Sequence, residues 1–124
     1  MSSKTLGHLD QTGYLYDSTV GELSGHRKLN NMYEFPLHIM DCNFLFKGIT
    51  SSVHLSDTWE NTKTVINKIL DMDLEYLTIN FHDRNFRRSH MKWKEWYIQL
   101  IEYLIDNGVK FINYRDAIDE LDQK

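Results

Sequence analysis

The sequence predicts an α/β fold in which parallel strands alternate with helices, and three observations carry that prediction. Residues 57–73 place Trp59, Ile66, Ile69 and Leu70 at helical intervals, and the apolar stretch EYLTINFH (75–82) follows. From Ser89 to Gly108 a wide apolar face recurs at Trp93, Trp96, Tyr97, Leu100, Ile101, Leu104 and Ile105, and VKFIN (109–113) comes next. YRDAIDELDQ then closes the chain with Ala117, Ile118 and Leu121 on one helical side. Strands spaced by helices of this length are the pattern of βαβ units, whose crossovers are right-handed almost without exception.

Taken from the start, KTLGHLDQ has Leu6 and Leu9 three apart, the spacing of a short opening helix. TGYLYDST (12–19) reads as a strand, and MYEFPLHIM (32–40) as another. Pro36 marks that second strand as an edge or a bulge, because proline has no N–H to give to a ladder. Asp57 and Glu60 have capping-box spacing ahead of the first long helix. Ser89 is the expected cap of the second, and Gly108 its left-handed stop.

With 124 residues and 41% hydrophobic content, the chain reads as one domain, 1–124, that would bury roughly two-thirds of its unfolded surface. A net charge of −4, from 14 basic and 18 acidic residues, argues against a nonspecific nucleic-acid binder. The lone cysteine, Cys42, excludes an internal disulfide and a Cys-rich zinc module. No apolar run reaches transmembrane length, and MSSKTLGHLDQTG lacks a basic and then an apolar leader region, so no membrane is expected and the default location is cytoplasmic.

Strict alternation in LTINFHDRNF (77–86) puts Leu77, Ile79 and Phe81 on one face and Thr78, Asn80 and His82 on the other, so a histidine closes a polar stripe. In parallel α/β sheets ligands gather at the carboxyl ends of strands. Standing there are Tyr16 to Thr19, then Arg27 in its glycine-bearing loop, then Asp41, then Asn80, His82 and Asp83, and last Asn113. An arginine, an aspartate and a histidine on successive strand ends can position and protonate an oxygen substrate. Plainer roles compete with this one. A strand-end histidine is commonly a rim residue, a loop arginine is commonly solvated, and Asp41 can cap its own loop in an Asx turn.

Cys42 beside Asp41 admits a cysteine nucleophile with His82 as base, although a lone cysteine is more often a small buried residue. DRNFRRSHMKWKEW interleaves basic and aromatic residues in the manner of a single-strand or sugar platform, but Trp93 and Trp96 share the Leu100 face and read as core. The six histidines (8, 26, 38, 54, 82, 90) include no pair three to five apart, so no local metal clamp is visible. His38 and Asp41, three apart on a strand, point to opposite faces.

The succession GYLYDST, GHR, YEFPLHIMD, LTINFHDRNF and WYIQLIEYLIDNGVKFINYRDAIDEL resembles the C-terminal half of polysaccharide deacetylase-like proteins, the metal-dependent chitin and peptidoglycan de-N-acetylase family. The likeness runs from about residue 5 to residue 121. It implies a distorted (β/α) barrel to which this chain supplies the closing strands and helices, and a glycan substrate. By that resemblance Arg27 orients the catalytic base, Asp41 orients the histidine, and His82 is the general acid toward the leaving amine. Asn80 falls at the acetyl-binding pocket, where the family commonly has leucine.

The family's paired aspartates and its two metal-binding histidines belong to the other half. A zinc-like divalent metal is therefore expected only with that half, and the chain alone is expected to be inactive. Two partners follow, a complementing N-terminal chain or a second copy. The alternative is a non-catalytic relic that binds or self-associates through an open sheet edge.

Overall fold

The computed structural model of the chain describes residues 2–41, 55–83 and 91–124. These residues form a mixed α/β structure. In chain order it contains α1 (Ser3–Asp10), β1 (Tyr16–Asp17), β2 (Arg27–Lys28), β3 (Tyr33–Glu34), β4 (Leu37–Met40), α2 (Leu55–Asp71), β5 (Thr78–Asn80), α3 (Met91–Asp106) and α4 (Tyr114–Asp122). One sheet has the order β1-β3-β2, the other pairs β4 with β5, and no closed barrel is formed among the described residues. No helix among them is long and apolar enough to cross a membrane.

Four expectations are corrected. VKFIN forms no strand: it leaves α3 and enters α4 as extended chain, with Lys110, Phe111 and Asn113 exposed. An apolar composition alone does not make a strand without a neighbouring edge to pair with. The strand expected over 32–40 is two strands in different sheets, divided at Phe35 and Pro36, where the proline has no N–H for a ladder. Nor are the strands uniformly parallel, since β1 runs parallel to β3 but β2 runs antiparallel to it. Arg27, expected in a loop, lies in β2.

Chain contacts divide the molecule into two compact units. The first comprises Met1–His38, Leu74–Thr78 and Phe111–Lys124. Its opening helix is capped by Ser2, whose hydroxyl accepts from the Thr5 N–H at 3.2 Å. At the other end of α1, the buried Asp10 carboxylate accepts from the N–H groups of Asn31 and Met32 at 2.7 and 2.9 Å, which fixes the entry to β3. α4 starts at Asn113, whose side chain accepts from the Asp116 N–H at 2.8 Å, and it packs Ala117 and Ile118 against Tyr33 and Phe35. Phe35 lies among aromatic rings, with Tyr114 at 5.5 Å, Tyr76 at 5.8 Å and Tyr33 at 6.0 Å between centroids. Each large side chain buried in this way contributes about 1.5–3 kcal/mol.

The second unit comprises Ile39–Asp73 and Ile79–Lys110. α2 begins at Leu55, two residues ahead of the expected Asp57, and the turn after it passes through Asp73 in the left-handed region at φ 53°. Its buried face is Thr58, Thr62, Ile66 and Ile69, so two threonines stand where an all-apolar stripe was expected. Thr62 is tolerated there because its hydroxyl donates to the Thr58 carbonyl at 2.8 Å and accepts from Trp96 Nε1 at 2.7 Å. α3 buries Trp93, Trp96, Leu100 and Leu104. The two tryptophans are thus core, as their spacing indicates, while Ile105 is exposed. Gly108 takes φ 80°, its N–H bonds Ile105 O, and the Val109 N–H bonds Leu104 O, the paired bonds of a Schellman stop. The expected Ser89 cap lies outside the described residues.

Candidate functional site

β4 and β5 are hydrogen-bonded neighbours, and two side-chain contacts show their direction. Thr78 N–H donates to His38 Nδ1 at 3.0 Å, and His82 N–H donates to Asp41 Oδ2 at 2.9 Å. The partners advance together along both strands, as they do when strands are parallel. Asp41 follows the last residue of β4, and His82 follows β5 by two residues. Both therefore stand at carboxyl ends of strands, where sequence alternation placed them.

Within the second unit these two residues meet twice. Besides the backbone bond, His82 Nδ1 lies 2.7 Å from Asp41 Oδ1, so one residue occupies both carboxylate oxygens. Asp41 is fully buried, whereas the His82 side chain keeps about a third of its surface, 34%, open to solvent. A carboxylate can only accept, so Nδ1 carries the proton in this contact. Acid–base work by the ring then falls to Nε2. Phe81 secures the strand beside the histidine, stacking on Tyr97 at 4.4 Å and on Trp96 at 6.4 Å. Asn80 is half-buried at the end of β5, and Asp83 is exposed.

The structure brings Asp41 and His82 together and does not use Asp41 merely to cap its own loop. Arg27 belongs to the first unit, where its exposed guanidinium lies 2.5 Å from Glu22 Oε1. Cys42, and Arg84 to His90 of the basic–aromatic segment, lie outside the described residues. His38 has a structural role in the first unit. Its Nε2 donates to the Ser24 carbonyl at 2.7 Å while Nδ1 accepts from Thr78, so both ring nitrogens are engaged. Among the described residues, no three histidine, cysteine, aspartate or glutamate side chains are grouped to hold a metal, and no ligand set for one is assigned to this chain.

Sequence reading missed one acidic group. Glu34 on β3 is fully buried, and neither carboxylate oxygen has a hydrogen-bond partner. The available signal was a glutamate in the middle of the apolar run MYEFPLHIM, but alternation assigns that position to the solvent face. No family model matches the chain, and no curated protein or solved structure matches it either.

Proposed function

We propose that this chain is the C-terminal part of a metal-dependent N-acetylglycan deacetylase-like hydrolase, in which His82 is the general acid and Asp41 the residue that orients it. The observation that carries this reading is the double contact of His82 with one buried carboxylate at parallel strand ends. Asp41 fixes the ring and holds the Nδ1 proton, so the ring would take up a second proton at Nε2 and pass that proton to the leaving amine, returning to its neutral Nδ1–H form. Protonation of a leaving amine at that nitrogen is worth about 10²–10⁴-fold in rate. Arg27 is assigned to orient the catalytic base and Asn80 to line the acetyl pocket, both by family resemblance. The partial (β/α) barrel belongs to the same reading, with β4 and β5 as two of its closing strands.

The metal and the base would come from a complementing N-terminal half, and the substrate class is an N-acetylated glycan. The test is acetate release from N-acetylglucosamine oligomers with zinc added. The chain by itself is expected to release none. Joined to a metal-binding N-terminal half, it is expected to release acetate, with a loss of about 10²–10⁴-fold on His82→Ala. Acetate from the chain alone overturns the assigned inactivity, and an unaffected His82→Ala variant of the joined protein overturns the assigned acid.

A further inference from the structure

In the first unit, the central strand of the three-stranded sheet carries a buried acid with no side-chain donor to meet it. Glu34 is fully buried and both of its side-chain oxygens lack a hydrogen-bond partner. Strand register places Asp17 of β1 on one side of it and Arg27 of β2 on the other, so the three side chains leave the same face of the sheet. Arg27 is engaged with Glu22. Asp17 Oδ2 accepts from the Thr19 N–H at 3.1 Å and from the Thr19 hydroxyl at 2.8 Å.

Two carboxylates on adjacent strands present acceptors only, and burying one of them ionised and unpaired is costly. A single proton changes the chemistry. Protonated Glu34 becomes an O–H donor, and the ionised Asp17 beside it becomes the acceptor.

We propose that Glu34 and Asp17 share one proton, held on Glu34, and that this pair makes the first unit's sheet an alkali-sensitive switch. Release of the proton to solvent leaves two negative charges on hydrogen-bonded neighbouring strands and removes the proton that links them. The link between β1 and β3 is then weakened by repulsion.

The protonation behaviour agrees with this geometry. Burial first, and then the Asp17 carboxyl, push Glu34 up to about 8, against smaller opposing pulls from the Val20 amide and Arg27. Asp17 moves the other way: burial raises it, but bonding to Glu34 and Thr19 together outweighs that and holds it low. The bond between the two acids exists only while Glu34 carries its proton, and the bare carboxylate keeps only the weaker pull of the Val20 amide and of Arg27.

Other charges around the sheet are accounted for. On the face of Glu34 stand Asp17, Arg27 and, bound to Arg27, Glu22. The opposite face carries Tyr33, whose hydroxyl donates to Asp122 at 2.6 Å, Lys28 at 3.7 Å from the same carboxylate, and His26, whose ring packs on Phe35 and Tyr76. None of the groups on the opposite face bonds Glu34. Between the ordinary glutamate value of 4.5 and about 8, the folded chain holds a proton that the unfolded chain has released. Stability therefore falls as pH rises through that window and is level above it.

The deciding experiment is a carboxyl ¹³C NMR titration of the full chain, paired with thermal unfolding between pH 5 and pH 9. One glutamate carbon is expected to titrate near 8, and Glu34→Gln is expected to remove that signal. The unfolding midpoint of the native chain should fall across the window, while Glu34→Gln, whose amide supplies a permanent donor to Asp17, should flatten that fall. Asp17→Asn should bring the Glu34 midpoint down. A Glu34 carbon that titrates with the other glutamates, or equal pH slopes for the native chain and Glu34→Gln, overturns the proposal. If Glu34→Gln does not fold, the titration of the native chain and of Asp17→Asn decides alone.

Discussion

Asp41 and Glu34 are both withdrawn completely from solvent. Asp41, just past a strand end in the second unit, accepts from the backbone and the ring of His82, whereas Glu34, on the central strand of the first unit's sheet, meets another acid. The contrast shows what decides the state of a buried carboxyl group. A strand end leaves the backbone N–H groups of the next loop unused by the ladder, and a side chain placed there can collect them. Glu34, flanked by β1 and β2, has Asp17 and Arg27 as its cross-strand neighbours, and the Val20 amide opposes its burial only weakly. One acid can then be held ionised by donors, and the other is best kept by a proton.

The largest expected effect comes from breaking the satisfied side of this comparison. Asp41→Ala strips both His82 contacts and should cost about 3 kcal/mol or more in urea denaturation. A loss under about 1 kcal/mol would place the pair among weak surface contacts. On the unsatisfied side the sign should reverse. At pH 8.5 Glu34→Gln should raise stability by about 1–3 kcal/mol, the penalty of a buried group without a partner, and the gain should shrink toward pH 5. A destabilised Glu34→Gln at pH 8.5 would remove the contrast.

Thr62→Val probes a buried polar group whose needs are met. It deletes the acceptor of Trp96 Nε1 and should cost about 1 kcal/mol by equilibrium unfolding. The smallest effect concerns His26, whose affinity for a proton is lowered by burial first and by Lys124 second. Its folded value lies below the ordinary 6.5, so the stability tied to its neutral ring is present above that pH and is lost as pH falls through the folded value. His26→Phe should flatten the acid limb of the thermal stability profile, and an unchanged limb would assign acid sensitivity to other groups.

Local signals carried well from sequence to structure. Gly108 stops α3 in the left-handed region, as a glycine after an apolar helix suggests. Alternation in LTINFH located β5, although the strand ends at Asn80 rather than at His82. Pro36 marked an irregularity, read as an edge or a bulge, and the structure divides the strand there. What was hidden depends on pairing between distant residues. VKFIN has a strand's composition but forms no strand, and nothing near β2 in the sequence reveals that it runs antiparallel to β3. Glu34 was hidden for the same reason: alternation with Tyr33 and Phe35 turns it to the face opposite theirs, but not whether the residues around that face bury it. Asp41 and His82 were each legible as strand-end residues, and their pairing was expected from the family resemblance rather than from the residues alone; Arg27, expected beside them, instead pairs with Glu22.

The most direct measurement is ¹⁵N NMR of the His82 ring in the native chain and in Asp41→Asn. The neutral ring is expected to carry its proton on Nδ1 and to keep Nε2 as the basic nitrogen, with that preference lost in Asp41→Asn. A native ring protonated on Nε2, or a tautomer indifferent to Asp41→Asn, would contradict the assignment of Asp41 as the residue that sets the histidine for acid chemistry.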